Sequence, residues 1–186
     1  PRPYGGKLPI WIAVGGTPQS VVRAANLGLP LALAIIGGEP HRFAPLFDLY
    51  REAAARAGHD VARLETSINV HGFVGETTQE AADTFYLPQA EVMNRIGRER
   101  GWGPTSRAHF DASRCPRGAL FVGSPAEVTD KILAHHEIFG FDRFLIQMAI
   151  GIIEHKNLMK AIELFGTKVA PEVRKAVAER RTKTAS

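Results

Sequence analysis

Apolar runs of strand length alternate with three- and four-residue apolar spacing along the whole 186-residue chain. "PIWIAV", Pro9 to Val14, is apolar throughout and ends at Gly15-Gly16. Thr17-Pro18 then opens a helical pattern in which Val21, Val22, Ala25 and Leu29 fall on one side, with Thr as cap and Pro at the first helical position. "LPLALAII" is a continuous apolar run of the kind buried on both faces of a parallel sheet. Gly37-Gly38 ends it, and Pro40 predicts a long helix to about Gly58, with Phe43, Leu46, Phe47, Tyr50 and Ala54 at helical spacing. "ETSINVHGFVG" reads as the third strand. Thr77 and Glu80 predict a capping box for the next helix, which carries Ala81, Ala82, Phe85, Tyr86, Val92, Met93 and Ile96 and which Pro88 is expected to kink or split.

The stretch 97–118, "GRERGWGPTSRAHFDASRCPRG", is the longest irregular segment, expected as a surface excursion holding one short helix. "GALFVGSPAEV" follows, with Ser124, Pro125 and Glu127 starting a helix through Phe139. "DRFLIQMAI" is the fourth strong strand, and a last helix from Glu154 is expected to be interrupted near Gly166 and Pro171. Strands alternating with helices imply parallel strands joined by right-handed crossovers. Four such units make either a small open sheet or half of an eight-stranded barrel; the unit recurs without a fixed residue period.

Composition narrows the class. At 45% hydrophobic and 23% charged residues, the chain is that of a folded globular protein. No apolar run approaches the roughly 18 residues of a membrane span, and "PRPYGGKLPI" lacks a signal-peptide layout, so a soluble cytoplasmic protein without membrane partners is expected. Cys115 is the single cysteine, which excludes an intramolecular disulfide framework, fits a reducing compartment and is expected as a small buried hydrophobe. The net charge of +4 and pI near 9.5 do not make a nucleic-acid surface. The basic residues are dispersed, apart from the tail "RKAVAERRTKTAS", and no aromatic-and-basic stripe accompanies them. Binding of one phosphate is compatible with this charge.

The candidate chemistry starts at the first turn. Gly15-Gly16 followed by Thr17-Pro18 is the layout of an anion site, with unpaired N–H groups at a helix N-terminus and no side chain in the way. An ordinary strand-to-helix turn has the same layout, and the residues alone leave both open. His135-His136 are adjacent on a helix, about 100° apart, so they cannot share a metal; both are expected to be partly exposed. No Cys/His cluster, HExxH motif or paired-carboxylate spacing points to a metal or hydrolytic site, and no residue is assigned as catalytic acid or base. Glu76, Asp83 and Glu91 read as solvated helix charges, as do Arg95, Arg98, Arg100, Arg107, Arg114 and Arg117 around the irregular stretch.

"IAVGGTPQSVVRAANLGLPLALAI", Ile12 to Ile35, resembles the fifth strand, fifth helix and sixth strand of the bacterial-luciferase-like flavin-dependent oxidoreductases. The resemblance rests on Gly15-Gly16, the Ala24-Ala25 pair and the turn Gly28-Leu29-Pro30. In the same order, "FAPLFDLYREAAARAGHD" resembles the sixth helix and "INVHGFVGETTQEAAD" the seventh strand and following helix start. "GSPAEVTDKI" resembles the segment ahead of the last strand, and "DRFLIQMAIGIIEHKNLMKAIELFGTKVAP" the eighth strand and terminal helix.

The resemblance implies an α/β chain, residues 1–186 as a single partial domain, forming the C-terminal half (strands five to eight) of a TIM-type (β/α)₈ barrel that in full takes roughly 250 residues. A naturally shortened flavoprotein with an incomplete barrel is the alternative. The resemblance also places a flavin phosphate on Gly16, Thr17 and Ser20, with Gly15 giving close backbone approach and Val14 just ahead, and puts Gly37-Gly38 near the flavin ring. His71, read as ending a strand, and Met148, read as ending the last strand, are candidates for the ring or substrate. The implied activity is a monooxygenase in which reduced FMN and dioxygen act on a small organic substrate, the protein supplying position and desolvation. A deazaflavin-dependent hydride transfer and a non-catalytic flavin-binding half barrel completed by dimerisation are the rivals. A half barrel exposes an inner face and two sheet edges, so a homo-oligomer is expected.

Overall fold

The computed structural model describes residues 2–6 and 8–185, with side chains as far as Lys183. In chain order the elements are β1 (Ile12–Val14), α1 (Pro18–Asn26), β2 (Leu31–Ala34), α2 (Ala44–Arg56), β3 (Thr66–Val74) and α3 (Thr78–Arg100). There follow α4 (Arg107–Arg114), β4 (Phe121–Gly123), α5 (Pro125–Phe139), β5 (Arg143–Gln147), α6 (His155–Leu164) and α7 (Ala170–Ala185). The strands form one sheet in the order β1-β2-β3-β4, with β5 also pairing β3. The first three pairings are parallel, as the alternation of strand and helix requires. β4 is a short fifth strand inside the segment read only as the lead-in to a helix.

The chain gathers into two compact units. The first holds the residues up to Ile35, His41–Asn69 and Phe141–Leu145. Val14 pairs in register with Leu33, and Leu31 with Thr66, so β2 lies between two strands. That central position explains why Leu31, Ala32 and Leu33 are all buried. α1 and α2 pack together through small residues, with Ala24, Ala25, Ala53 and Ala54 buried. Tyr50 of α2 donates its hydroxyl to the Leu29 carbonyl at 2.7 Å, and burial pushes its pKa up to about 12. The Asp142 carboxylate accepts from the Thr66 N–H at 2.8 Å while the Asp142 N–H donates to the Thr66 carbonyl at 2.9 Å, a reciprocal pair at the start of β3.

The second unit holds Ile36–Pro40, Val70–Gly140 and the residues from Ile146 onward. Its core joins Phe73 of β3 to Phe85 of α3, with ring centroids 5.7 Å apart, and Phe121 of β4 to α5. Ser124 and Glu127 form the expected capping box. At α3 the box is half made. Thr77 accepts from the Glu80 N–H, but the Glu80 carboxylate takes the N–H of Glu76 instead of that of Thr77.

Several local expectations are corrected. The first strand is three residues, starting at Ile12 and not at Pro9. Pro40 opens a 3₁₀ turn, Pro40–Phe43, and α2 begins at Ala44. Pro88 neither splits nor ends α3, which runs unbroken over 23 residues; the lost bond is outweighed by buried side chains on both sides of it, Phe85 and Ala90. The terminal helix is widened rather than interrupted: Phe165–Val169 is a π-helical turn between α6 and α7, and Pro171 lies inside α7 just after it. Cys115 is exposed, because it follows the end of α4 instead of pointing from a helix face into the core.

His135 is buried at 2% exposure, not partly exposed, because α5 turns that face onto Phe121 of β4, with Phe139 one turn on along the same helix face. Its Nδ1 lies 2.8 Å from the Lys131 carbonyl, and Nε2 is buried with no hydrogen-bond partner among the described residues. Burial pulls its pKa down from 6.5 to about 4, with the nearby Lys131 ammonium pushing the same way. The folded chain therefore binds this proton less readily than the unfolded one, and stability falls as pH drops from 6.5 toward 4. We expect a loss of order 2 kcal/mol between pH 7 and 4.5 from this group. Urea titrations of His135→Phe, which keeps a ring against its aromatic neighbours, should show a flatter pH profile; an unchanged profile would show that another group sets it.

Candidate functional site

The Gly15–Ser20 turn is built within the first unit. β1 ends at buried Val14, and at its start the Ile12 N–H donates to the Pro30 carbonyl at 2.9 Å, which anchors the strand beside the approach to β2. Gly16 has φ +108°, a conformation L side chains rarely adopt, so glycine is required there by the backbone. Gly15 has no such constraint. A methyl group on it would meet no atom within 4 Å, so its missing side chain leaves open space and relieves no clash. Thr17 sits at the N-cap in extended backbone, and its carbonyl accepts from the N–H groups of Ser20 and Val21.

The Thr17 hydroxyl makes no cap bond, which corrects the expectation that it closes the first turn. It is exposed and available to a ligand. Ser20, half-buried on the same first turn, accepts a hydrogen bond from Arg23 Nη2 at 3.1 Å. Arg23 was not singled out by the sequence. Its signal was the three-residue spacing from Ser20, which brings a guanidinium one turn up on the same side. Open space at a glycine, helix N–H groups, two hydroxyls and one cation form a donor set for a phosphate. The site fits the group.

The other candidates lie in the second unit. Gly37 and Gly38 are exposed and line a cavity of about 560 Å³ together with Gln89, Met93, Trp102 and Phe110. His71 and Met148 are not among the residues lining that cavity. His71 lies inside β3 rather than at its end, three residues short of Val74. Its Nδ1 is buried with no hydrogen-bond partner among the described residues, and burial lowers its pKa, so the ring is neutral near pH 7. Met148 is buried just beyond β5, where its neighbours make it core. Among the described residues no group of three or more His, Cys, Asp or Glu side chains could hold a metal, and no helix is long and apolar enough to cross a membrane.

A family model for luciferase-like monooxygenases matches residues 1–143. The chain belongs to the luciferase-like monooxygenase family. It spans about half the length of the curated relative it matches, the uncharacterised protein y4vJ of Sinorhizobium fredii, at 23% identity over 181 residues, 91% of this chain and 50% of that one. Among solved structures it is similar to the monooxygenase RslO1 from Streptomyces bottropensis (22% identity, TM-score 0.69, 90% of this chain and 49% of that one). It is also similar to the oxygenating constituent of 3,6-diketocamphane monooxygenase from Pseudomonas putida, a type II Baeyer–Villiger enzyme in complex with FMN (21%, TM-score 0.66, 92% and 50%). A third is a coenzyme F420-dependent tetrahydromethanopterin reductase from Methanopyrus kandleri (18%, TM-score 0.61, 89% and 51%). The parallel α/β sheet is thus the fold of this luciferase-like family, of whose TIM-type barrel the chain matches about half.

Proposed function

We propose that the chain carries the phosphate-binding half of a flavin-dependent oxidoreductase of the luciferase-like family, an FMN monooxygenase acting on a small organic substrate. The observation that carries this reading is the set of groups at the start of α1: open space at Gly15, the Thr17 hydroxyl without a cap bond, and Ser20 held by Arg23. When bound, the flavin supplies the redox chemistry with dioxygen. The residues of this chain would grip its phosphate by backbone N–H groups of the loop and by the two hydroxyls, with the Arg23 guanidinium countering the charge. Val14 backs the loop from the core, and Gly37-Gly38, His71 and Met148 are retained as candidates for the ring or substrate.

A deazaflavin cofactor is the second reading, favoured by the similarity to the F420-dependent reductase at nearly the same TM-score. Titration of the full-length protein with FMN, riboflavin and a phosphate-bearing deazaflavin tests both. FMN should bind at least tenfold tighter than riboflavin. Equal affinity for FMN and riboflavin would overturn the phosphate assignment, and binding of the deazaflavin alone would replace FMN with it.

Homo-oligomeric assembly belongs to the same reading. β1 is an edge of the parallel sheet, and Leu8 and Ile10 just ahead of it are 68% and 57% exposed, as is 48% of Leu145 on β5. Within "LPLALAII", by contrast, Leu31, Ala32, Leu33 and Ile35 are buried, and only Ile36, 40% exposed, adds to such a surface. The 186-residue chain is expected to self-associate in sedimentation velocity. A stable, non-aggregating 20.3 kDa monomer would count against assembly through this edge.

A further inference from the structure

The backbone of β3 dictates which way His71 points. Val70 is buried, and a side chain on Gly72 would run into the Phe121 carbonyl and the Ile146 side chain, so one face of the strand is closed here. Side chains alternate along a strand, which turns His71 and Phe73 to the other face. Phe73 is covered there, stacked on Phe85 of α3 with ring centroids 5.7 Å apart. The same face stays open in part. Ile146 lies on the Gly72 side, so Gln147, the next residue of β5, is turned to the His71 side, and it is exposed.

The two ring nitrogens of this half-buried histidine are not equivalent. Nδ1 is buried without a hydrogen-bond partner, whereas Nε2 is neither buried nor bonded among the described residues. A neutral imidazole carries one N–H and one bare lone pair. A proton on Nδ1 would bury a donor with nothing to accept it, a defect that folded proteins seldom hold. A proton on Nε2 stays within reach of water or of a ligand. We propose that His71 carries its proton on Nε2 and donates that N–H to an acceptor atom of the flavin ring, offering the bound molecule a donor and no base. The lone pair is then the buried one at Nδ1, which no ligand reaches. The identity of the ligand rests on the flavin reading; the position of the proton does not.

Nitrogen NMR of the full-length protein, labelled at histidine, reads the proton directly, with His71→Gln assigning the signal. Two-bond couplings tie Nε2 to both ring carbon protons and Nδ1 to one, so the nitrogens are told apart. Nε2 should have the shift of a protonated nitrogen and Nδ1 that of a bare one; the reverse would overturn the proposal. Titration with riboflavin and FMN then tests the donor. A glutamine side-chain N–H stands where Nε2–H does, and an asparagine N–H stands nearer Nδ1. His71→Leu and His71→Asn should each weaken both flavins about threefold to tenfold, and His71→Gln should stay within about twofold of wild type. Riboflavin and FMN should respond alike, because the donor serves the ring that both share. His71→Leu should fold at least as stably as wild type, since it removes the orphaned Nδ1. Equal losses in all three variants would make His71 a packing residue and overturn the donor, while leaving the flavin reading in place. Failure of wild type to bind either flavin would overturn that reading and the ligand named here together.

Discussion

Lys131→Met is expected to lower stability by about 2–4 kcal/mol. Lys131 is 7% exposed on α5, and its ammonium donates to three carbonyls: Cys115 at 2.7 Å, Leu120 at 2.6 Å and Arg114 at 3.3 Å. Two of these close the C-terminus of α4, where carbonyls lack helical partners and the dipole is negative; the third leads into β4. One side chain therefore pins the end of the 97–118 stretch to α5. Methionine keeps the packing volume but leaves the three acceptors without their donor. Burial pulls the Lys131 pKa down to about 8, below the 10.5 of an exposed lysine. The folded chain then binds fewer protons than the unfolded one between pH 8 and 10.5, so the stability contributed by Lys131 rises with pH through that window. The deficit of Lys131→Met should grow by of order 1 kcal/mol from pH 7.5 to 9.5. Guanidinium titrations at both values measure it. A deficit under 0.5 kcal/mol at each would mean that water serves the three carbonyls as well as the ammonium does.

The sequence made the element order readable because the two periodicities differ so strongly. "LPLALAII" has no polar position at all, and in the structure Leu31 to Leu33 are buried on both faces between β1 and β3. Ser124 and Glu127 announced a helix start, and their capping box is there. What pattern did not reveal was decided by tertiary context. Phe121–Gly123 pairs with the last three residues of β3, a partner far along the chain that no local signal names. Pro88 is tolerated because the helix around it is held by packing, and packing is invisible in a count of local bonds. Cys115 and His135 failed for the same reason. Exposure of a loop cysteine and burial of one member of a His-His pair depend on which way α4 and α5 turn.

The candidate site was legible only in part. Glycines next to a Thr-Pro helix start could be seen in sequence, but their two functions could not be told apart there. The structure distinguishes the two residues: Gly16 has a backbone conformation that calls for glycine, whereas a side chain on Gly15 would meet no atom within 4 Å, and we propose that this space admits a phosphate. Gln89, between Pro88 and Ala90 of α3, carries no signal until its burial is known.

That separation decides how the phosphate loop is to be tested. Gly16→Val would confound ligand loss with strain at φ +108°, so the informative change is Gly15→Val, where the backbone accepts a side chain and the space is empty. In the full-length protein it should keep the fold and weaken FMN about a hundredfold, because the side chain occupies the approach to the helix N–H groups and removes charge-assisted bonds worth roughly 1.5–3 kcal/mol each. Thr17→Ala and Arg23→Met remove one hydroxyl and one cation, both exposed, and should each weaken FMN about fivefold to tenfold. Neither should destabilise the apo protein by more than about 0.5 kcal/mol, since the Thr17 hydroxyl makes no cap bond and Arg23 is exposed. Riboflavin, which has no phosphate, is the control. Its affinity should not respond to Thr17→Ala or Arg23→Met, and raising salt should erode the Arg23 contribution to FMN binding first. Flavin fluorescence titration of each variant with both ligands gives the answer. Parallel losses for FMN and riboflavin in Thr17→Ala and Arg23→Met would show that the loop shapes the start of α1 without gripping an anion.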